Sequence, residues 1–340
     1  MGIKSIFKPL LFLIVVVSIL LLSDLSNRKS TRETKEKYRI AVFRFNSNPV
    51  LGTTESGVLA SIKKTDLYKN DQIEITRYNP EGDMPTANMV AMTIVSRQYD
   101  LVVSVSTPAL QIMANVNKEG SVTHVFCSVT DPFSAGVGIT GPGGNDHPRH
   151  LVGIGTFQPV EELFKIVKQI KPGLSKVGTV WCTSETCSEA CVRKARKICR
   201  ELNIELIEMG IESATQVYET AVSLTQKGVE ALWVGGDNVV ESGIDMYIEA
   251  GLKAHIPVMT NNPVYADKKA LINLGADYFK VGELTGEMAI EVLRGKPTNS
   301  IEIKNIAPEL LTINESVLKS LKDNWQILED VRNRAAHIVQ

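Results

Sequence analysis

The sequence predicts an α/β protein of two doubly wound lobes with a ligand cleft between them. Its 340 residues are too many for one ordinary core and suit two lobes of roughly 100 to 150 residues each. Strand-like apolar runs alternate with helix-like segments along most of the chain, a pattern typical of parallel α/β sheets. Polar clusters follow several of these runs, where a parallel sheet places its ligand-binding edge.

The first lobe is predicted from strands that alternate with helices and a strand that closes the set. Strands are expected at residues 38–45, 73–78, 101–106 and 123–129, with helices at 52–64, 85–98 and 108–117. Each strand is short and rich in β-branched residues, and each helix is longer and amphipathic. This order predicts one doubly wound lobe.

The second lobe is predicted from a restart of the same pattern after a Gly/Pro-rich stretch at residues 136–148. Helices are expected at 159–170, 188–202, 214–227 and 240–254, and strands at 177–181, 205–209, 231–234 and 257–260. Because the second half repeats the architecture of the first, two similar lobes should face each other across a cleft.

The first 29 residues are predicted to direct export. Lys4 and Lys8 precede an apolar run at residues 10–17, which residues 19–22 extend, and basic residues before an apolar run form an export signal. No small-residue cleavage site follows, and no cysteine precedes Cys127, which excludes a lipoprotein signal. Residues 1–29 are therefore either a signal peptide or a membrane-spanning signal anchor, residues 30–37 are a solvated tether, and the lobes are extracytoplasmic.

Four of the five cysteines lie close together in the sequence, at Cys182, Cys187, Cys191 and Cys199. In an exported protein this grouping predicts a disulfide, with Cys182 paired to Cys187 or Cys191. A metal site is the alternative, but no Cys-x-x-Cys spacing and no nearby histidine support it. Cys127, within an apolar run, is expected to be a buried thiol.

The candidate ligand site consists of polar residues at strand ends: Ser106-Thr107-Pro108, Thr130-Asp131-Pro132, Asp237-Asn238 and Asn261-Asn262-Pro263. None of these clusters carries a nucleophile beside a base, so the pattern favours binding over catalysis. The helix after Ser106-Thr107 should direct free backbone amides and the positive end of its dipole toward the cleft. A carboxylate would be stabilised there, although Ser106 also fits a simple N-cap.

At these residues the chain resembles the substrate-binding proteins of ABC transporters, in particular members that bind tryptophan, tyrosine or phenylalanine. The stretches that carry the resemblance are residues 100–109, 125–132, 142–145, 237–238, 256–258 and 276–279, with Gly282, Gly286 and Gly295. The most specific of them are Val129-Thr130-Asp131-Pro132 and Pro142-Gly143-Gly144-Asn145. The similarity extends from about residue 38 to about residue 322.

The resemblance implies the type I periplasmic-binding fold, in which two Rossmann-like lobes close on a ligand by hinge motion. By this analogy the chain crosses between the lobes three times. Lobe 1 would comprise residues 38–155 and 280–298, and lobe 2 residues 156–279 and 299–322, followed by a C-terminal tail at 323–340. The implied partners are a small amino-acid-like ligand and an ABC permease, without a cofactor or metal.

The resemblance also implies roles for individual residues. Thr107 and Thr130 would bind the ligand through their hydroxyls and nearby amides, and Asp237 would be the counter-charge for an ammonium group. Asn238 and Asn262 would add hydrogen bonds. Asp131 would either contact the ligand or shape the turn at Pro132.

Two departures from the family pattern lie where the ligand should bind. Asn48-Pro49 replaces the usual His-Pro of the first-strand loop, and Asn48 is itself expected to be a ligand-binding residue. Asn261-Asn262 replaces an acidic residue after a later strand. An aromatic amino acid therefore does not follow from the resemblance alone. Trp181 and Phe133 are candidates for a stacking face or, equally, for packing.

Other functions have weaker support. Residues 136–141 match the Gly-x-Gly-x-x-Gly dinucleotide motif, but Pro142 follows, whereas that motif must open a helix. The pair His147 and His150 lies in a loop without acidic or thiol neighbours, so a metal site is not expected. A net charge of −1 argues against nucleic-acid binding. The remaining alternative is a membrane-tethered ligand sensor that feeds a signalling partner.

Overall fold

The computed structural model describes residues 37–140 and 146–340, whose strands form two separate sheets. The predicted signal or anchor, residues 30–36 of the tether and the Pro142–Asn145 part of the family resemblance lie outside the described residues. Within the described ranges, no helix combines the length and apolar character needed to cross a membrane. The two-lobed α/β prediction is confirmed.

The first part of the chain builds most of the first sheet. Its elements are β1 (Tyr38–Arg44), α1 (Pro49–Lys64), α2 (Asp66–Lys69), β2 (Ile73–Tyr78), α3 (Met84–Ser96), β3 (Leu101–Val105), α4 (Thr107–Val116), β4 (Thr123–Val129) and β5 (Leu151–Gly155). Every residue of β3 and of β5 is buried. Continuous burial is expected of parallel strands that are covered on both faces.

The middle of the chain builds most of the second sheet. Its elements are α5 (Val160–Ile170), β6 (Lys176–Cys182), α6 (Thr186–Glu201), β7 (Glu205–Ile211), α7 (Val217–Gln226), β8 (Ala231–Val234), α8 (Asn238–Ser242), α9 (Ile244–Lys253), β9 (Val258–Thr260) and β10 (Ile272–Ala276). The single predicted helix at 240–254 is divided at Gly243 into α8 and α9.

The last part of the chain returns to the first sheet and then rejoins the second. Its elements are α10 (Tyr278–Leu293), β11 (Lys304–Asn305), β12 (Glu309–Asn314), α11 (Glu329–Arg334) and β13 (His337–Val339). Strand β11 pairs with β5 in the first sheet, so the return to the second lobe follows residue 305, later than the boundary expected at 299. Trp325 and Val331 are buried in the second core and β13 pairs with β12, so residues 323–340 are part of the second lobe.

Strand order places the ends of consecutive strands beside the cleft. The first sheet has the order β11-β5-β4-β3-β1-β2, and the second has the order β13-β12-β10-β9-β8-β6-β7. In the second sheet β10 pairs with β12 antiparallel, while β6, β7, β8, β9 and β10 form parallel pairs. The carboxyl ends of parallel strands therefore meet along one edge in each lobe.

Several side chains that follow these strands also cap the next helix. Ser106 accepts a hydrogen bond from the amide of Ala109, Asp237 from those of Val239 and Val240, and Asn48 from that of Leu51. Polar residues are favoured at such positions because the first amides of a helix lack partners within it. Capping thus explains why polar clusters occur at the cleft edge of both lobes.

Helices α1 and α10 pack closely in the first lobe because glycine residues lie at their contact. A Cβ atom added at Gly57 would lie 2.1 Å from the carbonyl oxygen of Phe279, and one added at Gly282 would lie 2.1 Å from that of Thr54. Only glycine permits this backbone approach. The contact fixes α10, and with it the crossing at Tyr278, against the first lobe.

Candidate ligand-binding site

An inner cavity of about 20 Å³ lies between the lobes, which is space for little more than a water molecule. Residues from both lobes line it: Val50, Leu51, Thr107, Ser128, Thr130, Gln158, Cys187, Gly236, Asp237, Asn238, Glu241 and Tyr278. Of the sequence-predicted site residues, Thr107, Thr130, Asp237 and Asn238 line this cavity. The remaining four, Ser106, Asn48, Asp131 and Asn262, lie around it.

The first-lobe wall of the inner cavity is built from hydroxyl groups. The Oγ1 atom of Thr107 accepts a hydrogen bond from the backbone N–H of Thr130 at 3.4 Å, so the ends of β3 and β4 are joined at the wall. Ser106 lies directly behind Thr107 with a φ of 113°, a value that non-glycine residues rarely adopt. Its side chain is the N-cap of α4, and it does not line the cavity.

Ser128 is a cavity residue that sequence reasoning missed. It has a φ of 51° at a shift in the register between β4 and β5. Its Oγ shares a hydrogen bond of 2.7 Å with Oγ1 of Thr54. The sequence shows only a continuous β4 strand here, and the irregularity that turns Ser128 toward the cavity arises from pairing with β5.

The carboxylate of Asp237 is held by four hydrogen bonds from the protein. Oδ1 accepts from the amides of Val239 at 3.0 Å and Val240 at 2.8 Å, and Oδ2 accepts from the amide of Cys182 and the hydroxyl of Ser188, both at 2.6 Å. The residue is 3% exposed. Burial raises the pKa of Asp237, and its hydrogen bonds tie β6, α6 and α8 together at the cavity wall.

Glu185, in the loop before α6, is the second carboxyl group at the site. Sequence reasoning did not identify it. Its Oε2 accepts from the backbone amide of Asn238 at 2.9 Å, the side-chain amide of Asn238 at 3.2 Å and the thiol of Cys187 at 3.4 Å. Burial, with the nearby charge of Asp237, raises the pKa of Glu185 to about 7. Asn238 is thereby oriented by Glu185.

Glu241, in α8, is the third carboxyl group and lines the inner cavity. It is 6% exposed, and burial raises its pKa to about 8. Its Oε1 accepts from Nδ2 of Asn262 at 3.2 Å. Asn262 therefore holds Glu241 in place.

Asparagine side chains join the lobes across the cleft. Nδ2 of Asn46 donates to the carbonyl oxygen of Asn238 at 3.4 Å and to Oγ of Ser242 at 3.2 Å. Nδ2 of Asn48 donates to Oδ1 of Asn238 at 3.5 Å. These contacts and the small inner cavity describe a closed cleft.

Asp131 lies at the rim of the cleft. Its Oδ1 accepts from the amides of Phe133 and Ser134, which is the turn-shaping role considered from the sequence. Oδ2 lies 3.9 Å from Nη2 of Arg193 in the second lobe. Asp131 therefore connects the lobes at the surface and does not line the inner cavity.

A larger cavity of about 530 Å³ lies outside the inner one. Phe45, Asn46, Met84 and Pro108 line it from the first lobe, and Glu185, Ser213, Asn238 and Ser242 from the second. Asn238 borders both cavities. The two predicted stacking residues line neither, because Trp181 packs beside Arg196 and Phe133 is 40% exposed.

The family described as ABC transporter substrate binding protein matches residues 39–339 of this chain.

This chain belongs to that family.

A tyrosine-binding protein of Clostridioides difficile is 29% identical to this substrate-binding protein over 301 residues, which are 88% of this chain and 85% of that one. Among solved structures, a domain of Streptococcus pneumoniae in complex with L-Trp has a TM-score of 0.82 at 23% identity and covers 89% of this chain and all of its own. A Vibrio cholerae domain has the same TM-score at 24% identity, with coverage of 89% and 99%. These likenesses establish the fold.

A ligand-free, open substrate-binding protein of Clostridium difficile has a TM-score of only 0.65 at 25% identity, with coverage of 89% and 99%. The L-Trp complex is no more similar in sequence, yet its TM-score is higher. The difference agrees with the closed cleft of this substrate-binding protein, since hinge motion changes the arrangement of lobes without changing their folds.

The disulfide expected among the clustered cysteines is not present in this substrate-binding protein. Cys127, Cys182, Cys187, Cys191 and Cys199 are all buried free thiols. Several contact other groups instead: the thiol of Cys191 donates to Oε1 of Gln158 at 3.3 Å, and that of Cys187 to Glu185. Burial raises the pKa of Cys191 and of Cys199 to about 12.

No group of three or more His, Cys, Asp or Glu side chains among the described residues is arranged to hold a metal ion. The ring of His147 contacts the carbonyl oxygens of Pro148 and Ile301. His124 is fully buried with Nε2 2.7 Å from Oγ of Ser104, and burial lowers its pKa to about 3. Both residues have structural contacts.

Proposed function

We propose that this substrate-binding protein captures an amino acid outside the cytoplasm and presents it to an ABC permease. The proposal rests on the different side chains of the two cavity walls, which are hydroxyl groups on one wall and carboxyl groups on the other. Hydroxyl groups of Thr107, Ser128 and Thr130 form the first-lobe wall, while Asp237 and Glu241 lie on the second-lobe wall. An α-carboxylate suits the first wall and an α-ammonium suits the second.

The electrostatics of the cavity favour a ligand with a positive group. No lysine, arginine or histidine is among the described residues that line the inner cavity. The buried acids there have raised pKa values because their charged forms are desolvated without a cationic partner. An ammonium group would provide that partner and would be bound most strongly when water is excluded.

Capture requires the lobes to separate and close again. The inner cavity of about 20 Å³ is too small for an amino acid, so a ligand must enter an open form and occupy space that the closed lobes now fill. The asparagine contacts across the cleft are few and measure 3.2 to 3.5 Å. Such contacts are weak, so opening would cost little and bound ligand would supply most of the closing energy.

The relatives support an amino acid as the ligand class. One of them is a tyrosine-binding protein, and a structure of the same fold holds L-Trp. The membrane-tethered sensor considered from the sequence depends on residues 1–29 alone and has no support from the described site. Delivery to a permease is the role that membership of the family favours.

The proposal can be tested by thermal unfolding of the purified full chain with each common amino acid, with nucleosides and with small carboxylates. A ligand that binds only the folded state raises the melting temperature in a saturable manner. For any amino acid that does so, the corresponding amine without the carboxyl group and the N-acetyl derivative should each give a much smaller shift. If no amino acid gives a shift, the proposed ligand class is wrong.

Site variants connect this binding to the cavity. Ser128→Ala and Thr130→Val should weaken binding about tenfold each, since each removes a hydroxyl available to the carboxylate. Thr93→Ala is the matched control, because Thr93 is a half-buried helical residue outside the cavity whose hydroxyl donates to the carbonyl oxygen of Met89. Equal binding by all three variants would place the ligand elsewhere.

A further inference from the structure

The second-lobe wall carries more acidic groups than one α-ammonium needs. Glu185, Asp237 and Glu241 are close enough to raise one another's pKa, and none of them forms an ion pair among the described residues. Asp237 is satisfied by four protein hydrogen bonds. The other two carboxyl groups retain acceptor capacity.

Glu185 and Glu241 differ in position. Glu185 borders the outer cavity, and the hydrogen bonds that it accepts from the described residues all reach Oε2, which leaves Oε1 available to a ligand. Glu241 borders the inner cavity, accepts a hydrogen bond from the side-chain amide of Asn262 and lies beside the hydroxyl of Tyr265. Asn238 borders both cavities, so a ligand that contacts Asn238 has Glu185 on one side and Glu241 on the other.

A second buried group beside Glu241 also lacks a partner. Oδ1 of Asn262 accepts no hydrogen bond, although the residue is 1% exposed and the other end of the same amide is bonded to Glu241. A buried acceptor without a donor is unfavourable, because it has lost its hydrogen bonds to water without replacement. Two acceptors that lie side by side in this way match a group that donates several hydrogen bonds and carries a positive charge.

We infer that the ligand is an amino acid with a cationic side chain and that Glu241, supported by Asn262, is the counter-charge for that side chain. The inference rests on the proposed function and refines it. Asp237 and Glu185 then remain for the α-ammonium, and the hydroxyl wall for the α-carboxylate.

Calorimetric titration of the full chain with paired ligands tests the inference. L-Lysine is compared with L-norleucine, and L-arginine with L-citrulline, because the members of each pair are similar in size and differ in side-chain charge. The cationic member should bind at least about tenfold more tightly, the effect expected of a charged hydrogen bond. Glu241→Gln should remove this preference while it changes binding of the neutral member less than about threefold.

Proton release provides a readout that a purely structural role of Glu241 would not produce. Because Glu241 has a pKa of about 8 in the ligand-free protein, a cation that binds beside it at pH 7 should expel its proton. Titrations in buffers of different ionisation enthalpy should show release of up to about one proton with lysine. Norleucine, and lysine with Glu241→Gln, should release fewer protons than lysine with the unmodified protein, because only Glu185, with a pKa of about 7, then responds to the α-ammonium.

The outcomes separate the two proposals. If neutral amino acids bind as tightly as cationic ones, or if Glu241→Gln retains the preference, the inference is wrong while amino-acid capture stands. If no amino acid of either kind binds, both are wrong. The comparison within the unmodified protein is decisive even if Glu241→Gln proves unstable, and Glu74→Gln, an exposed change on β2, controls for loss of a carboxylate.

Discussion

The free energy of unfolding of the ligand-free protein should fall as the pH rises from 5 to 8, and Glu241→Gln should remove much of that fall. Glu241 has its pKa raised by burial from 4.5 to about 8. Between these values the folded protein retains a proton that the unfolded chain has released, so the stabilisation is complete below about pH 4.5 and is lost through about pH 8.

The structure sets the size of this effect. One titrating group changes the free energy of unfolding by at most about 1.4 kcal/mol per pH unit, which limits Glu241 to about 4 kcal/mol between pH 5 and pH 8. The titratable groups that face it are Asp237, Glu185, Tyr265 and Tyr278, and none of these is cationic. The surroundings of Asp237 and Glu185 adjust when Glu241 is replaced, so the full 4 kcal/mol is not expected. We expect the free energy of unfolding of Glu241→Gln at pH 8 to exceed that of the unmodified protein by about 2 kcal/mol.

At pH 5 the same variant should differ from the unmodified protein by less than about 1 kcal/mol. A glutamine resembles a protonated glutamate and can still accept the hydrogen bond from Asn262. Urea unfolding followed by tryptophan fluorescence measures both values, because Trp181, Trp233 and Trp325 all lie in the second lobe with Glu241. A shift of equal size at pH 5 and pH 8 would refute the reasoning, and Glu74→Gln should show little change at either pH.

Three further outcomes are expected. Gly282→Ala should lower the free energy of unfolding, measured by calorimetry, by about 1 to 3 kcal/mol, because the added Cβ atom would lie 2.1 Å from the carbonyl oxygen of Thr54. An unchanged transition would show that α1 and α10 separate easily. Asp237→Asn should lower the free energy of unfolding of the ligand-free protein by about 2 to 4 kcal/mol, since it removes a buried charge that caps α8 and accepts four hydrogen bonds. Loss of ligand binding at unchanged stability would instead favour a direct ligand role for Asp237. The thiols of Cys191 and Cys199 should react with a thiol reagent only after denaturation, because both are buried in the second core with raised pKa values. Rapid labelling of the native protein would contradict this burial.

Part of the candidate site follows from local sequence signals. Thr107, Thr130 and Asp237 could be placed because each directly follows an apolar strand, and parallel sheets bring such positions to one edge. The sequence could not distinguish a capping role from a ligand role at these positions, since the same side-chain types serve both. At Ser106 and Asp237 the hydrogen bonds of the cap are now defined.

Other site residues depend on pairing and packing that no local pattern records. Ser128 is turned by a register shift against β5, and Tyr278 is brought to the cavity by the crossing before α10. Glu241 falls within the single helix predicted at 240–254, but the structure has a break at Gly243, and Glu241 is buried in the short α8. Glu185 reaches the site because its loop folds over the start of α8.

The α/β class, the two-lobe repeat and the strand ends at which polar groups meet can all be predicted from the sequence. Hydrophobic periodicity and turn chemistry are local properties, so the sequence records them. Three features are visible only in the tertiary structure. They are the pairing of β11 with the first sheet, the inclusion of residues 323–340 in the second lobe and the absence of disulfides among the described cysteines. The grouping of three carboxyl groups around Asn238, of which Asp237 and Glu241 are buried and Glu185 is half-buried, also depends on the tertiary structure. These features arise from contacts between residues that are far apart along the chain, and the free energy of such contacts depends on burial that only the folded molecule defines.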